Sequence, residues 1–136
     1  MNDTSLNLQR KILCFAAIVE VGTGLILMID PAIVVKLLIG SEVSGSATLL
    51  GRCFGIALLA LGLACWPSGK NAESGSPAVR GMFVYNLLIA LFLVYLFKVG
   101  HLGGILLWPA VVLHAVVALF LIWSRRTAPR VAQVRS

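Results

Sequence analysis

The chain has 136 residues, of which 60% are hydrophobic and 12% charged, with a mean hydropathy of +1.00 and a formal net charge of +6. A soluble domain is about half apolar and about a quarter charged, so this is a membrane protein, small enough to be one domain. The bases form no patch interleaved with aromatics, and no finger spacing or recognition helix is visible. Nucleic acid is thereby excluded as a partner, and the lipid bilayer is the first one implied.

Four apolar runs, about 12–29, 49–66, 82–99 and 105–123, are each long enough to cross a core of about 30 Å at about 1.5 Å per residue. The expected fold is an all-α membrane protein, a four-transmembrane-helix antiparallel bundle with a short interfacial helix after the first span. Residues 1–9 are polar and read as frayed or interfacial. Arg10-Lys11 ahead of an apolar run resembles a secretory signal, but Glu20 interrupts that run and no small-residue cleavage pattern follows, so it reads as a retained helix.

After span one, Asp30 can cap a helix, Pro31 suits its first position and Gly40 its end. The resulting helix, about 31–39, is two turns long and too short to cross. It lies at the interface with Lys36 snorkelling, or folds back against the bundle. Residues 68–78 form a Gly/Ser-rich loop, whereas residues 100–104 make a tight turn that sets spans three and four as an antiparallel hairpin. Pro109 starts span four or kinks it near its end. The tail, 127–136, is basic and reads as disordered, and no internal repeat is evident.

Orientation follows from the bases. Arg10, Lys11, Lys70, Arg80, Arg125, Arg126, Arg130 and Arg135 fall on one side; Lys36 and Lys98 fall on the other, with Arg52 just inside span two. The positive-inside rule puts both termini and the 68–78 loop in the cytoplasm. Trp66 and Trp123 then sit at the cytoplasmic boundary and Trp108 near the outer one, as an aromatic belt requires.

Three polar groups lie deep in the spans. Counting from flanking bases, Glu20 is roughly 13 Å, His114 roughly 16 Å and Asn86 roughly 9 Å from the cytoplasmic boundary. An ionised carboxylate at mid-depth costs about 3 kcal/mol or more, so Glu20 is a functional candidate by default. Ala16, Glu20 and Gly24 recur at helical spacing, as do Ala110, His114 and Ala118. Small residues mark close helix contacts in membranes, so Glu20 and His114 are both expected to point into the bundle. A Glu20–His114 contact would compensate both groups; Asn86 and the Thr23 hydroxyl are the alternative partners. The same layer can equally serve as a structural pin of helix register.

Arg52 snorkels, or else marks an anion or headgroup site beside Asp30, Glu42 or the hairpin turn. Gly51 and Gly55 form a G-x-x-x-G pair extended by Gly62, a close-packing face within the bundle or between protomers. Tyr85 and Tyr95 read as ordinary membrane aromatics. Cys14, Cys53 and Cys65 are scattered in apolar runs with no thiol pair or nearby ligand, and read as small hydrophobes. No metal site, cofactor motif or catalytic residue can be assigned.

Two resemblances arise. Glu20-Val21-Gly22-Thr23-Gly24-Leu25, Asp30-Pro31 with Leu37-Leu38-Ile39-Gly40, and Gly51-Arg52-Cys53-Phe54-Gly55 resemble small bacterial four-helix integral membrane proteins, broadly DoxX-like. Arg80-Gly81-Met82, Tyr85-Asn86-Leu87-Leu88 and Leu107-Trp108-Pro109-Ala110 with His114-Ala115 carry it through the later spans. That resemblance implies the bacterial cytoplasmic (inner) membrane but brings no established activity. The second is confined to span one: Ala17-Ile18-Val19-Glu20-Val21-Gly22-Thr23 is similar to the first-helix motif of the small multidrug resistance exporters, and implies proton and cation exchange at Glu20.

The leading functional reading is an accessory or binding subunit of a membrane complex, or a homo-oligomer, with the glycine stripe as its contact face. The alternative is a proton-coupled exporter of small lipophilic cations using Glu20. Third comes an enzyme acting on a lipid-soluble substrate with Glu20 and His114 as acid and base, a chemistry with no nucleophile or cofactor motif behind it.

Overall fold

The computed structural model describes residues 3–69 and 75–127, and all regular structure among them is helical. The basic tail beyond 127 and residues 70–74 of the loop lie outside the described residues. Five helices follow in order: α1 Asp3–Ile29, α2 Pro31–Ile39, α3 Ser46–Ala64, α4 Pro77–Gly100 and α5 Leu107–Thr127. Four of them contain stretches long and apolar enough to cross a bilayer: Asn7–Ile29, Ser46–Ala64, Pro77–Gly100 and Leu107–Ser124. This is the build of a multi-pass membrane protein, and α2 is the short helix between the first two spans. Helix α1 begins well before the apolar run, because the polar residues ahead of it simply continue its turns.

Local chemistry sets the ends of the elements. A single residue, Asp30, separates α1 from α2; its amide still bonds to Ile26 O at 2.8 Å. Its carboxylate accepts from the first amides of α2, Ala32 N at 3.0 Å and Ile33 N at 3.4 Å, which would otherwise lack partners. Gly40 closes α2 at a φ of 77°, a left-handed conformation that favours glycine. The Ser76 hydroxyl caps α4 on Val79 N at 3.3 Å with Pro77 in the first turn, and His101 ends that helix in the left-handed region at a φ of 50°. Pro109 falls within the first turn of α5, where its missing N–H leaves no helical bond unmade.

Helix α1 is the centre of the bundle, flanked by α3 on one side and α5 on the other, with α4 packed along α5. Its junction with α3 is built from absent side chains. A Cβ on Gly24 would stand 2.7 Å from Gly55 O, one on Gly55 2.7 Å from Gly24 O, and one on Gly62 2.8 Å from Ala17 O. A Cβ on Gly51 would strike the ring of Pro31 at 2.6 Å. The glycine stripe is therefore consumed inside the chain. The expectation that it offers an outward contact face is corrected: spacing marks a small face, and α1 with the start of α2 covers it.

Helix α2 folds back against α1, α3 and α5. The α4–α5 turn ties it down, since Gly104 N donates to Leu38 O at 2.9 Å and Leu106 N to Leu37 O at 2.8 Å. Gly104 lies so close to the Leu37 carbonyl that no side chain fits there. Lys36 reaches outward to pair with Glu42 at 3.0 Å, both exposed. That neighbour holds the Glu42 carboxyl below its usual range.

The buried core gathers at the end of the bundle where α1 begins and α5 ends. Leu13, Ala16 and Ala17 of α1, Val79 and Met82 of α4, and Val117 and Leu121 of α5 close on one another there. Cys65 joins them and donates its thiol to Ala78 O at 3.5 Å, which draws the end of α3 to the start of α4. Away from that junction, α3 and α4 hardly meet. The gap between them is where the candidate site lies.

Candidate functional site

Where the tight core ends, four polar side chains share one layer. Glu20 is 2% exposed and Asn86 1% exposed, so each needs a partner within the protein. The Glu20 carboxylate accepts a hydrogen bond from the Tyr85 hydroxyl. The Tyr85 ring in turn stands edge-on to His114, with centroids 5.9 Å apart and planes at 81°. The His114 Nδ1 lies 2.8 Å from Asn86 Oδ1, and Asn86 Nδ2 donates to Met82 O at 2.8 Å.

Two arms thus leave α4. Tyr85 reaches α1 and the adjacent Asn86 reaches α5, so neighbouring residues, about 100° apart around one helix, bind two different helices. Glu20 takes its bond from Tyr85 rather than from His114, and His114 takes Asn86. The acid and the imidazole are in one layer without being a pair. Tyr85 is the residue that sequence reasoning passed over. Its phenol is longer than a carboxamide and reaches a deeper acid on another helix, a reach that depth counting along one axis does not include.

Beyond this layer lies empty space. A cavity of about 220 Å³ is floored by Glu20, Thr23 and Leu27 of α1 and walled by α3, α4 and α5, with Val34, Val35, Leu38 and Ile39 of α2 as its roof. Its polar side chains are Glu20, Thr23, Tyr85 and His114; the rest of its lining is apolar, including Phe54, Leu58, Ile89, Phe92 and Leu96. A second cavity of about 350 Å³ lies between α1, α2 and α5, and has Thr23 and His114 as its only polar side chains. Thr23, Val34, Leu38, Ala110 and His114 border both, so the two are neighbours across one partition. Exposed Ile26, Ile33, Leu37 and Leu106 stand at the outer side of the larger one.

The other candidates sit elsewhere. Ala118 is buried beside the tight core, while Ala110 faces the cavities. Arg52 is exposed on α3, and the acids nominated as its neighbours are engaged otherwise, Asp30 as the α2 cap and Glu42 with Lys36. The three cysteines are free, with only Cys65 buried, and among the described residues no cluster of His, Cys, Asp and Glu could hold a metal ion.

What this arrangement can do follows from its parts. An apolar chamber with a few polar groups at one end is the usual form of a small-molecule site, and exposed apolar side chains border the larger cavity beside it. Comparisons of the chain with family models, with curated proteins and with solved structures return no match.

Proposed function

We propose that this protein is an accessory, ligand-binding integral membrane protein whose ligand is a lipid-soluble molecule with one polar headgroup. The cavity of about 220 Å³, apolar except for Glu20, Thr23, Tyr85 and His114 at one end, is the observation that carries this reading. Packed interiors hold few voids larger than a water molecule, and empty space lined by Phe54, Leu58, Ile89 and Leu96 suits an apolar tail. The neighbouring cavity of about 350 Å³ gives that tail room to extend toward the bilayer. The residue pattern supports placing the chain among small bacterial DoxX-like proteins. The charge asymmetry between Arg10, Lys11 and Arg80 at one end and Lys36 and Lys98 at the other supports cytoplasmic termini in the inner membrane. A membrane protein partner or a second copy would dock on other surfaces than the glycine stripe, which α1 already covers.

Native mass spectrometry of the protein released from its own membrane tests the reading. The expected result is a small-molecule adduct at one per chain, reduced in Glu20→Gln. A bare chain with neither adduct nor partner would sink it.

One observation favours a second reading, proton-coupled export of small lipophilic cations. Glu20 shares its cavity with the aromatic faces of Phe54, Tyr85 and Phe92, a combination that also suits a cation. On this reading Glu20→Gln abolishes resistance to a lipophilic cation; a wild-type protein that confers no resistance and no proton-coupled uptake rules it out. An enzymatic acid–base pair has less support, because Glu20 and His114 are bonded to different partners.

A further inference from the structure

We propose that His114 Nε2 is the headgroup acceptor of the cavity, and that the ligand is therefore a neutral, membrane-dissolved hydroxyl compound, an alcohol or a phenol. The proposal rests on the binding reading above and narrows it.

The hydrogen bonds around Asn86 fix the tautomer. Met82 O can only accept, so the Asn86 atom 2.8 Å from it is the donating Nδ2. The atom left to face His114 is Oδ1, an acceptor, and the 2.8 Å contact then requires a proton on His114 Nδ1. In a neutral imidazole with Nδ1 protonated, Nε2 carries a lone pair and can only accept. Rotating the amide would set its oxygen against the Met82 carbonyl, two acceptors facing each other, so the helix α4 backbone locks the choice.

Nε2 also has space in front of it. Among the described residues, no fully buried side-chain nitrogen or oxygen lacks a hydrogen bond. Nε2 makes none, so it retains accessible surface, and His114 borders both cavities. Of the other polar side chains of the smaller chamber, Tyr85 already spends its proton on Glu20. The site thus presents an unfilled acceptor on an apolar wall. An ether, ester or ketone brings no proton to it, and burying such a group there leaves Nε2 unpaired. A protonated amine does bring donors, but at the cost of carrying its charge out of water into an apolar chamber. A hydroxyl satisfies Nε2 and enters from lipid without charge.

The test compares para-octylphenol with its methyl ether, para-octylanisole, which has the same skeleton and no donor. Binding is measured by isothermal titration to the full-length protein in nanodiscs. The phenol is expected to bind about tenfold more tightly, the worth of one well-made hydrogen bond of this kind, and His114→Phe is expected to abolish that preference while both probes still bind. Equal affinities in the wild type would overturn the proposal and leave the binding reading standing; no binding of either probe would overturn both. A measurement on the wild type alone guards against a variant that fails to fold. The protein has two histidines, His101 and His114, so nitrogen-15-labelled histidine gives a simple spectrum. Saturating phenol should shift the unprotonated nitrogen signal of His114 and leave exposed His101 at the α4 terminus unchanged. A shift absent from His114 would contradict the assignment.

Discussion

At the end of the bundle where α1 begins and α5 ends, Leu13, Ala16, Ala17, Val79, Met82 and Leu121 fill the space between α1, α4 and α5, and Cys65 ties α3 to α4. At the opposite end the same helices stand around two cavities, and a two-turn helix, α2, roofs what side chains leave open. The composition of the two ends is similar, since both are lined by Leu, Val, Ala and aromatic residues. The separation between α3 and α4 is what differs. A bundle held only by close packing has no reason to keep one half open, and none to clamp a short helix over the opening with backbone bonds from the α4–α5 turn. The layer of Glu20, Tyr85, Asn86 and His114 marks the border between the two halves.

Enlarging substitutions break the comparison most severely. Ala17 is fully buried at the α1–α3 contact, where its carbonyl faces Gly62. Ala17→Phe should prevent folding or cost about 3 kcal/mol or more, read as loss of a monodisperse species after extraction. Leu38→Phe adds volume to the roof, where a cavity can take it, and should leave thermal stability equal or raised. Equal damage from both would show that the two halves are packed alike.

A smaller test uses glycines alone. Gly55→Ala brings a Cβ to 2.7 Å from Gly24 O and should cost about 1–3 kcal/mol of unfolding free energy. Gly81→Ala meets nothing within 4 Å and should be neutral or slightly stabilising. Steric trapping in bicelles measures both.

Tyr85→Phe removes only the hydroxyl that serves Glu20 and should cost about 1 kcal/mol, within the range of single hydrogen bonds in membranes. No loss at all would mean that the phenol does not support the acid.

The smallest effect belongs to the exposed Lys36–Glu42 pair. Because Lys36 lowers the Glu42 carboxyl from its ordinary value of 4.5, any stability it adds is present above that value. It is lost as pH falls through the lowered one. With both side chains in contact with water, screening keeps the effect slight. Glu42→Gln should lower the neutral-pH melting temperature only slightly and abolish the shallow acid dependence, so that the two proteins melt alike in acid.

These tests also separate what was legible in the chain from what was not. The four spans and the bounds of α2 could be read because membrane thickness fixes span length, and Asp30-Pro31 and Gly40 are chemical punctuation. Glu20, His114 and Asn86 stood out as polar groups in apolar runs. Their pairing did not, because residue counts give depth along each helix but not the angle at which neighbouring helices face one another. Tyr85 was hidden for a related reason: a tyrosine in a span resembles an interface anchor until its partner across the bundle is seen. The stripe of Gly51, Gly55 and Gly62 announced close contact but not the identity of the surface, which α1 supplies. Cavities leave the weakest trace of all, since an absent contact has no residue to mark it.

The most direct measurement of the contrast between the two halves is a thermal shift with para-octylphenol on the wild type and on Leu38→Trp. A ligand that occupies the cavity raises the melting temperature of the wild type by several degrees at saturation. The tryptophan, filling that space, should abolish the shift while the variant remains folded. Equal shifts in the two proteins would contradict a ligand site beneath α2.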